Sequence, residues 1–356
     1  MSPGVRCMIM RGGSSKGAYF LRDDLPADPG ARDELLLRIM GSPDPRQIDG
    51  IGGAHPLTSK VAIVGPADGG RADLEYLFLQ VGVDDRLVSD RQNCGNLLAG
   101  VAPFALARGL IAADDGEVAV RIHMLNTDSV ATAHVPVSGG QLPATGAMAV
   151  SGVPGTAAAI RLDFDGIAGS SCGALLPTAR PVDQVAGVAC TLVDNGMPVV
   201  VLRADALGIT GYESCAELEA DAGLRRRLEQ IRLAAGPLMN LADVSAGTVP
   251  KLALVAAPRD GGDLCTRSFI PHRCHDAIGV LAAVSVATAA VLPGTPAHEV
   301  FEPHAPGIIV LEHPTGTFEA AVEVRDVDGV AVVERAGIVR TARALMDGFV
   351  YPRGYR

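Results

Sequence analysis

Cys7 to Leu25 reads CMIMRGGSSKGAYFLRDDL, and Cys190 to Leu207 reads CTLVDNGMPVVVLRADAL. Both run strand, glycine-bearing turn, strand, acidic stop, the second with the shorter turn. Outward from each hairpin the parallel continues. ARDELLLRIMGSP (31–43) and CAELEADAGLRRRLEQIRLAAGP (215–237) carry apolar residues at helical spacing: Leu35, Leu36 and Ile39 in one, Leu224, Leu228 and Ile231 in the other. TSKVAIVGP (58–66) and VPKLALVAAP (249–258) are short strands, each begun by a lysine. NLLAGVAPFALARGL (96–110) and IGVLAAVSVATAAVL (278–292) are almost uncharged and apolar all round, the pattern of helices covered on every side. Four elements recurring in one order indicate a duplication: two similar α+β domains, each with a buried helix among short strands. The expected boundaries are 1–180 and 181–335, with a Pro/Gly-rich hinge near ALLPTARPVDQVAGV. Residues 336–356, outside the repeat, are expected to return to the first domain.

The bulk properties narrow the function. The chain has 356 residues, enough for two domains, and its formal net charge of −10 leaves no basic surplus for nucleic acid. Seven cysteines without CxxC spacing give neither a disulfide framework nor a structural zinc site, so a reducing cytoplasm is expected. The start MSPGVRCMIM lacks a signal-peptide pattern, and the longest apolar run, Val280 to Leu292, is too short to span a bilayer. No membrane partner is expected.

Several small motifs have the chemistry of a site. In RGGSSKG (Arg11 to Gly17), Gly12 and Gly13 allow close backbone approach, and Ser14 and Ser15 add hydroxyls. The segment is either an anion cradle or simply a hairpin turn. It is not a P-loop, whose spacing it lacks. In QNCGN, Cys94 stands just before a buried helix, where free N–H groups favour a thiolate; the alternative is an inert buried thiol. Asn93 and Gly95 flank it, and Asn96 is placed to cap the helix. Lys60, at the head of its strand, is either a solvated end group or a base drawn into a cleft. Ser170 and Ser171 of GSSCG make a second hydroxyl loop suited to carboxylates. Asn195 lies in the second hairpin turn, and Arg267 and His272 lie in TRSFIPHRCH. No histidine set has convincing metal spacing, and no GxGxxG fingerprint follows a strand. Neither metal nor cofactor is expected. The remaining thiol, amine, hydroxyls and cations suit proton abstraction beside a carboxylate, with the enolate held electrostatically.

MRGGSSKGAYF, LTSKVAIV, CGN, GSSCGALLPT and VRTARALMDG, in this order, resemble the PrpF-like branch of the diaminopimelate epimerase fold superfamily. The resemblance implies an α+β, diaminopimelate-epimerase-like fold of two pseudo-symmetric domains, each a mainly antiparallel β-barrel around a central helix. Carried over by position, Cys94 and Lys60 are the implied proton-transfer pair and Ser15 a substrate-binding serine. The second-half cysteine of the epimerases would fall near Asp276, where HDAIG has no Cys-Gly, which disfavours a two-thiol racemase. The fuller strings RQIDGIGGAHPLTSKVAIV, QNCGN, VDNGMPVV and TRSFIPHRCH look like branch members that tautomerise 4-oxalomesaconate in bacterial gallate breakdown. The implied partner is a small polycarboxylate; a homodimer is allowed but not required. Competing expectations are an aconitate, methylaconitate or methylitaconate isomerase of the same branch, and a tricarboxylate-binding protein without turnover.

Overall fold

A computed structural model describes residues 4–91, 93–245, 247–327 and 329–354. The chain divides into two compact units, Met1–Asp165 with Arg340–Arg356, and Gly166–Val339.

The first unit contains strands β1 (Val5–Gly12), β2 (Ser15–Leu21), β3 (Lys60–Pro66), β4 (Leu74–Val81), β5 (Val88–Ser89), β6 (Gly116–Met124), β7 (Ser129–Val137), β8 (Met148–Val150), β9 (Val153–Ala157) and β10 (Ile160–Phe164). Its helices are α1 (Pro29–Met40), α2 (Gly95–Leu98) and α3 (Val101–Arg108). The second unit contains β11 (Asp183–Val185), β12 (Val188–Asp194), β13 (Pro198–Arg203), β14 (Lys251–Ala256), β15 (Leu264–Phe269), β16 (Ile308–His313), β17 (Gly316–Val327) and β18 (Val330–Arg340). It also holds α4 (Cys215–Ala220), α5 (Ala222–Leu238) and α6 (Val280–Val291). The last strand, β19 (Ala342–Val350), returns to the first unit and pairs antiparallel with β1.

Neighbour order in the first unit is β19-β1-β2-β3-β4-β6-β7-β10. The β2–β3 and β4–β6 pairings are parallel and the others antiparallel. The second unit reads β11-β12-β13-β14-β15-β16-β17-β18, with its parallel pairings, β13–β14 and β15–β16, at the same two places. Strands from both ends of each order touch one central helical segment: β1, β2, β3 and β7 touch α2 and α3, and β12, β13, β16 and β17 touch α6. Each sheet therefore curls around its helix, which the apolar patterning requires if no face of that helix is to meet water.

Side chains fix where the helices begin and end. Asp28 caps α1 by accepting from Ala31 N at 2.8 Å, Pro29 opens its first turn, and Gly41 ends it at φ 83°. The 215–237 segment is two helices rather than one, because Asp221 ends α4 and its carboxylate caps α5 by accepting from Leu224 N at 2.9 Å. The 96–110 segment is also broken, after Leu98. Pro103 has no N–H to offer the Ala99 carbonyl, and its ring crowds that carbonyl. Among the described residues no helix is long and apolar enough to cross a membrane.

Candidate active site

In the first unit, strand alternation assigns side chains to two faces. Cys7, Ala18, Phe20, Val61, Ile63 and Leu79 pack against Leu36, Ile39 and Met40 of α1. The opposite face carries Tyr19, Ala62 and Phe78, in register with one another. On the same face Lys60 lies opposite Gln80, and Val64 opposite Tyr76. Tyr19 Oη donates to the Leu97 carbonyl at 2.6 Å, and Tyr76 Oη to the Cys94 carbonyl at 3.4 Å. Both phenols therefore reach α2 from the face that holds Lys60. Burial raises both phenol pKa values, with the nearby Cys94 sulfur adding to the rise, so they stay protonated as donors.

Lys60 is 7% exposed. Its Nζ donates to Gln80 Oε1 at 2.7 Å and lies 5.0 Å from the centre of the Phe78 ring. The Gln80 amide is held with its oxygen toward the lysine, since its Nε2 donates to the Ser59 carbonyl at 2.9 Å and the Pro56 carbonyl at 3.1 Å. The amine thus has a neutral acceptor, and among the described residues no carboxylate pairs with it. A cation without a counter-ion, on an apolar face, favours an anionic ligand.

Cys94 is half-buried and is the N-cap residue of α2. Its carbonyl accepts from Leu98 N at 3.0 Å, while the N–H groups of Gly95, Asn96 and Leu97 have no acceptor among the described residues. Asn96 is not the cap. It sits inside the first turn, and its Nδ2 donates to Ser14 Oγ at 3.2 Å and Ser15 Oγ at 3.3 Å. The β1–β2 turn can come this close only through glycine. A Cβ on Gly12 would lie 2.3 Å from the Asn96 carbonyl oxygen, and one on Gly13, at φ +50°, 2.2 Å from Asn96 Oδ1. Gly12, Gly13, Ser14, Ser15, Lys60, Cys94, Gly95 and Asn96 therefore gather on one face beside α2. With only four residues, α2 contributes through local N–H groups rather than through a macrodipole.

Other residues singled out from sequence are engaged in contacts of their own. Arg11 borders the same turn and is engaged within it, donating to the Gly13 carbonyl at 2.8 Å and to Thr341 Oγ1 at 2.9 Å. Asn93 donates to Thr127 Oγ1 at 2.6 Å, leaving its buried Oδ1 without a partner. Gln92 lies outside the described residues.

In the second unit the GSSCG loop already holds a carboxylate, the protein's own. Ser171 N and Cys172 N donate to Asp194 Oδ2 at 2.7 and 2.8 Å. The Ser170 and Ser171 side chains remain exposed. Asn195 is fully buried against α6: its N–H donates to Ser285 Oγ at 3.0 Å and its Nδ2 to Thr288 Oγ1 at 2.8 Å. Arg267 is buried and donates to the carbonyls of Glu213 at 2.6 Å and Thr266 at 2.9 Å. His272 is exposed beside Glu229, 3.5 Å away. Among the described residues no group of three His, Cys, Asp or Glu could hold a metal ion.

The sequence reading missed Gln80, Tyr19, Tyr76 and Asp194. Gln80 leaves one signal, a polar residue on the apolar strand LEYLFLQV, but its register with Lys60 appears only after pairing. A cavity of about 700 Å³ in the first unit borders Ser14 and Ser15. Neither Lys60 nor Cys94 lines it.

Two units of one strand order, each wound around a helix, with an amine and a thiol beside a glycine-serine turn, define a diaminopimelate-epimerase-like protein. The chain belongs to the PrpF family, whose model, PrpF protein, matches residues 4–353. It is 57% identical to the (4E)-oxalomesaconate Delta-isomerase of Novosphingobium sp. (strain KA1), over 97% of this chain and 96% of that one. It is 54% identical to the 4-oxalomesaconate tautomerase of Pseudomonas putida, over 97% and 95%. A crystal structure of methylitaconate-delta-isomerase superposes with a TM-score of 0.88 at 35% identity, covering 98% of this chain and 96% of that one. A hydroxyproline epimerase, at 14% identity and a TM-score of 0.52, shares the fold.

Proposed function

We propose that this protein is an isomerase catalysing the keto–enol tautomerisation of 4-oxalomesaconate, a 1,3-proton shift, with Lys60 and Cys94 as the proton-transfer pair. The observation that carries the reading is the placement of the Lys60 amine and the Cys94 loop on one face of one sheet, with no carboxylate neutralising the amine. One of the two groups removes a proton from the carbon between the unsaturated groups. The electron pair moves into the conjugated enolate, and the other group delivers a proton at the far end. Nothing is oxidised or reduced, so no cofactor enters the scheme. The N–H groups of Gly95, Asn96 and Leu97, without an acceptor among the described residues, and the Ser14 and Ser15 hydroxyls are fixed dipoles that would hold carboxylate or enolate charge. The high identity to relatives named for oxalomesaconate supports this substrate. In this reading the enzyme serves aromatic-acid breakdown in the cytoplasm, in keeping with seven free cysteines.

A second reading, a methylitaconate- or methylaconitate-type isomerase, is favoured by the 0.88 superposition and would use the same pair. The test is incubation of protein with each acid in D2O, followed by proton NMR and ultraviolet absorbance. Enzyme-dependent deuterium uptake at the oxalomesaconate methylene is expected, and its absence rejects the reading. Lys60→Ala and Cys94→Ala should each lower the exchange by about 100-fold or more while leaving the fold intact.

A further inference from the structure

Two thiols of the second unit stand apart from this chemistry. Cys215 Sγ and Cys274 Sγ are 3.0 Å apart, about 1 Å beyond the length of a disulfide bond. The approach is fixed from both sides by one short helix. Cys215 is the first residue of α4, positioned by a capping box in which Ser214 N donates to Glu217 Oε2 at 2.8 Å and Glu217 N to Ser214 Oγ at 3.3 Å. Cys274 is held by Glu219 of the same helix, whose Oε1 accepts from Cys274 N at 3.1 Å. The Cys274 backbone is also bridged to Phe269 at the end of β15. The two sulfurs are therefore held together by hydrogen bonds and by packing in one apolar cluster.

Their exposures differ. Cys215 is half-buried and can meet a small solute, whereas Cys274 is 8% exposed. Cys215, the one a solute can reach, is therefore the first nucleophile, while burial, followed by contact with Cys215, pushes the Cys274 thiol up.

We propose that Cys215 and Cys274 form a dithiol site that a hydroperoxide converts reversibly into a disulfide. Cys215 Sγ attacks the peroxide oxygen, the O–O bond breaks, and Cys215 sulfenic acid and water (or the alcohol of an organic hydroperoxide) result. Cys274 Sγ then attacks the Cys215 sulfur. The S–S bond forms, the S–O bond breaks, and the hydroxyl leaves as water with the Cys274 proton. In sum, two thiols and one hydrogen peroxide give a disulfide and two waters. The bond joins the head of α4 to the loop that leads into α6, and a dithiol reductant reverses it.

The experiment treats the full-length protein with a small excess of hydrogen peroxide, alkylates it under denaturing conditions and maps the cysteines by mass spectrometry. A peptide pair linked through Cys215 and Cys274, released by dithiothreitol, is expected. Cys215→Ser should leave Cys274 open to alkylation. Cys274→Ser should leave Cys215 as a sulfenic acid that dimedone traps. Full alkylation of both residues under peroxide that already oxidises Cys94 would overturn the proposal, as would linkage of either to another cysteine. Dimedone capture of Cys274 in the Cys215→Ser protein would overturn the order of attack.

Discussion

Lys60 shows how one polar neighbour can set a side chain's purpose. An ammonium facing a carboxylate would be neutralised before any substrate arrived, whereas facing Gln80 it is oriented by a neutral acceptor. Gln80→Glu should turn this contact into an ion pair that competes with substrate carboxylates. We expect KM to rise and kcat/KM to fall by about 10- to 100-fold with the melting temperature nearly unchanged, as read by steady-state kinetics alongside thermal denaturation. Gly100 serves the same face in another way. A Cβ there would lie 2.4 Å from Tyr19 Oη and displace the hydroxyl from the Leu97 carbonyl. Gly100→Ala should cost about 1–3 kcal/mol in urea denaturation, and clearly less when made in a Tyr19→Phe protein, because the two changes remove one contact. The residue types of this site were legible in the sequence: Lys60, Cys94 and Asn96 stood out against apolar or glycine-rich surroundings. Their partners were not. Gln80, Tyr19 and Tyr76 become partners only through strand register, which local pattern does not encode.

At the scale of elements, α5 combines an apolar stripe with a fully buried arginine. Arg232 forks onto Glu229 at 2.7 and 2.8 Å and donates to the Val244 carbonyl at 2.8 Å, tying the helix to the chain that follows it. That fork holds the Glu229 carboxyl below its usual pKa. A carboxylate with a lowered folded pKa stabilises above its unfolded pKa of about 4.3 and loses that contribution as pH falls through the folded value. Glu229→Gln should therefore destabilise the protein by about 1–3 kcal/mol at pH 7. Denaturation midpoints of variant and wild type should converge as the solution is taken below pH ~4; a constant gap would refute the assignment. The apolar spacing of Leu224, Leu228 and Ile231 announced this helix, and all three are buried. The break at Asp221 and the interruption before Pro103 were written in the chain too, as a cap residue and a proline. A periodicity reading passes over them because it averages across a window.

For the whole chain, the return of β19 to the first unit is the largest commitment. Residues after Arg340 complete the first unit by pairing with β1, and Asp347 receives both guanidinium donors of Arg108 at the end of α3, at 2.6 and 2.7 Å. Deleting residues 341–356 would leave the β1 edge unpaired and the buried Arg108 side chain without its carboxylate. We expect the truncated protein to lose a cooperative thermal transition or to aggregate; calorimetry showing a wild-type transition would disprove this. The sequence by itself determined the duplicated order of elements, the two helices that must be covered on every side, and the residue types proposed to carry acid–base chemistry. Such information is local, held in spacing and composition. Only the tertiary structure decided which groups meet. It tied Arg11 to the Gly13 carbonyl and Thr341, and bonded Asn96 to two serines instead of using it as a cap. It also filled the GSSCG loop with Asp194 and left Lys60 beside an amide. Those outcomes depend on register and on contacts between residues far apart in the chain, where a shift of one residue sends a side chain to the other face.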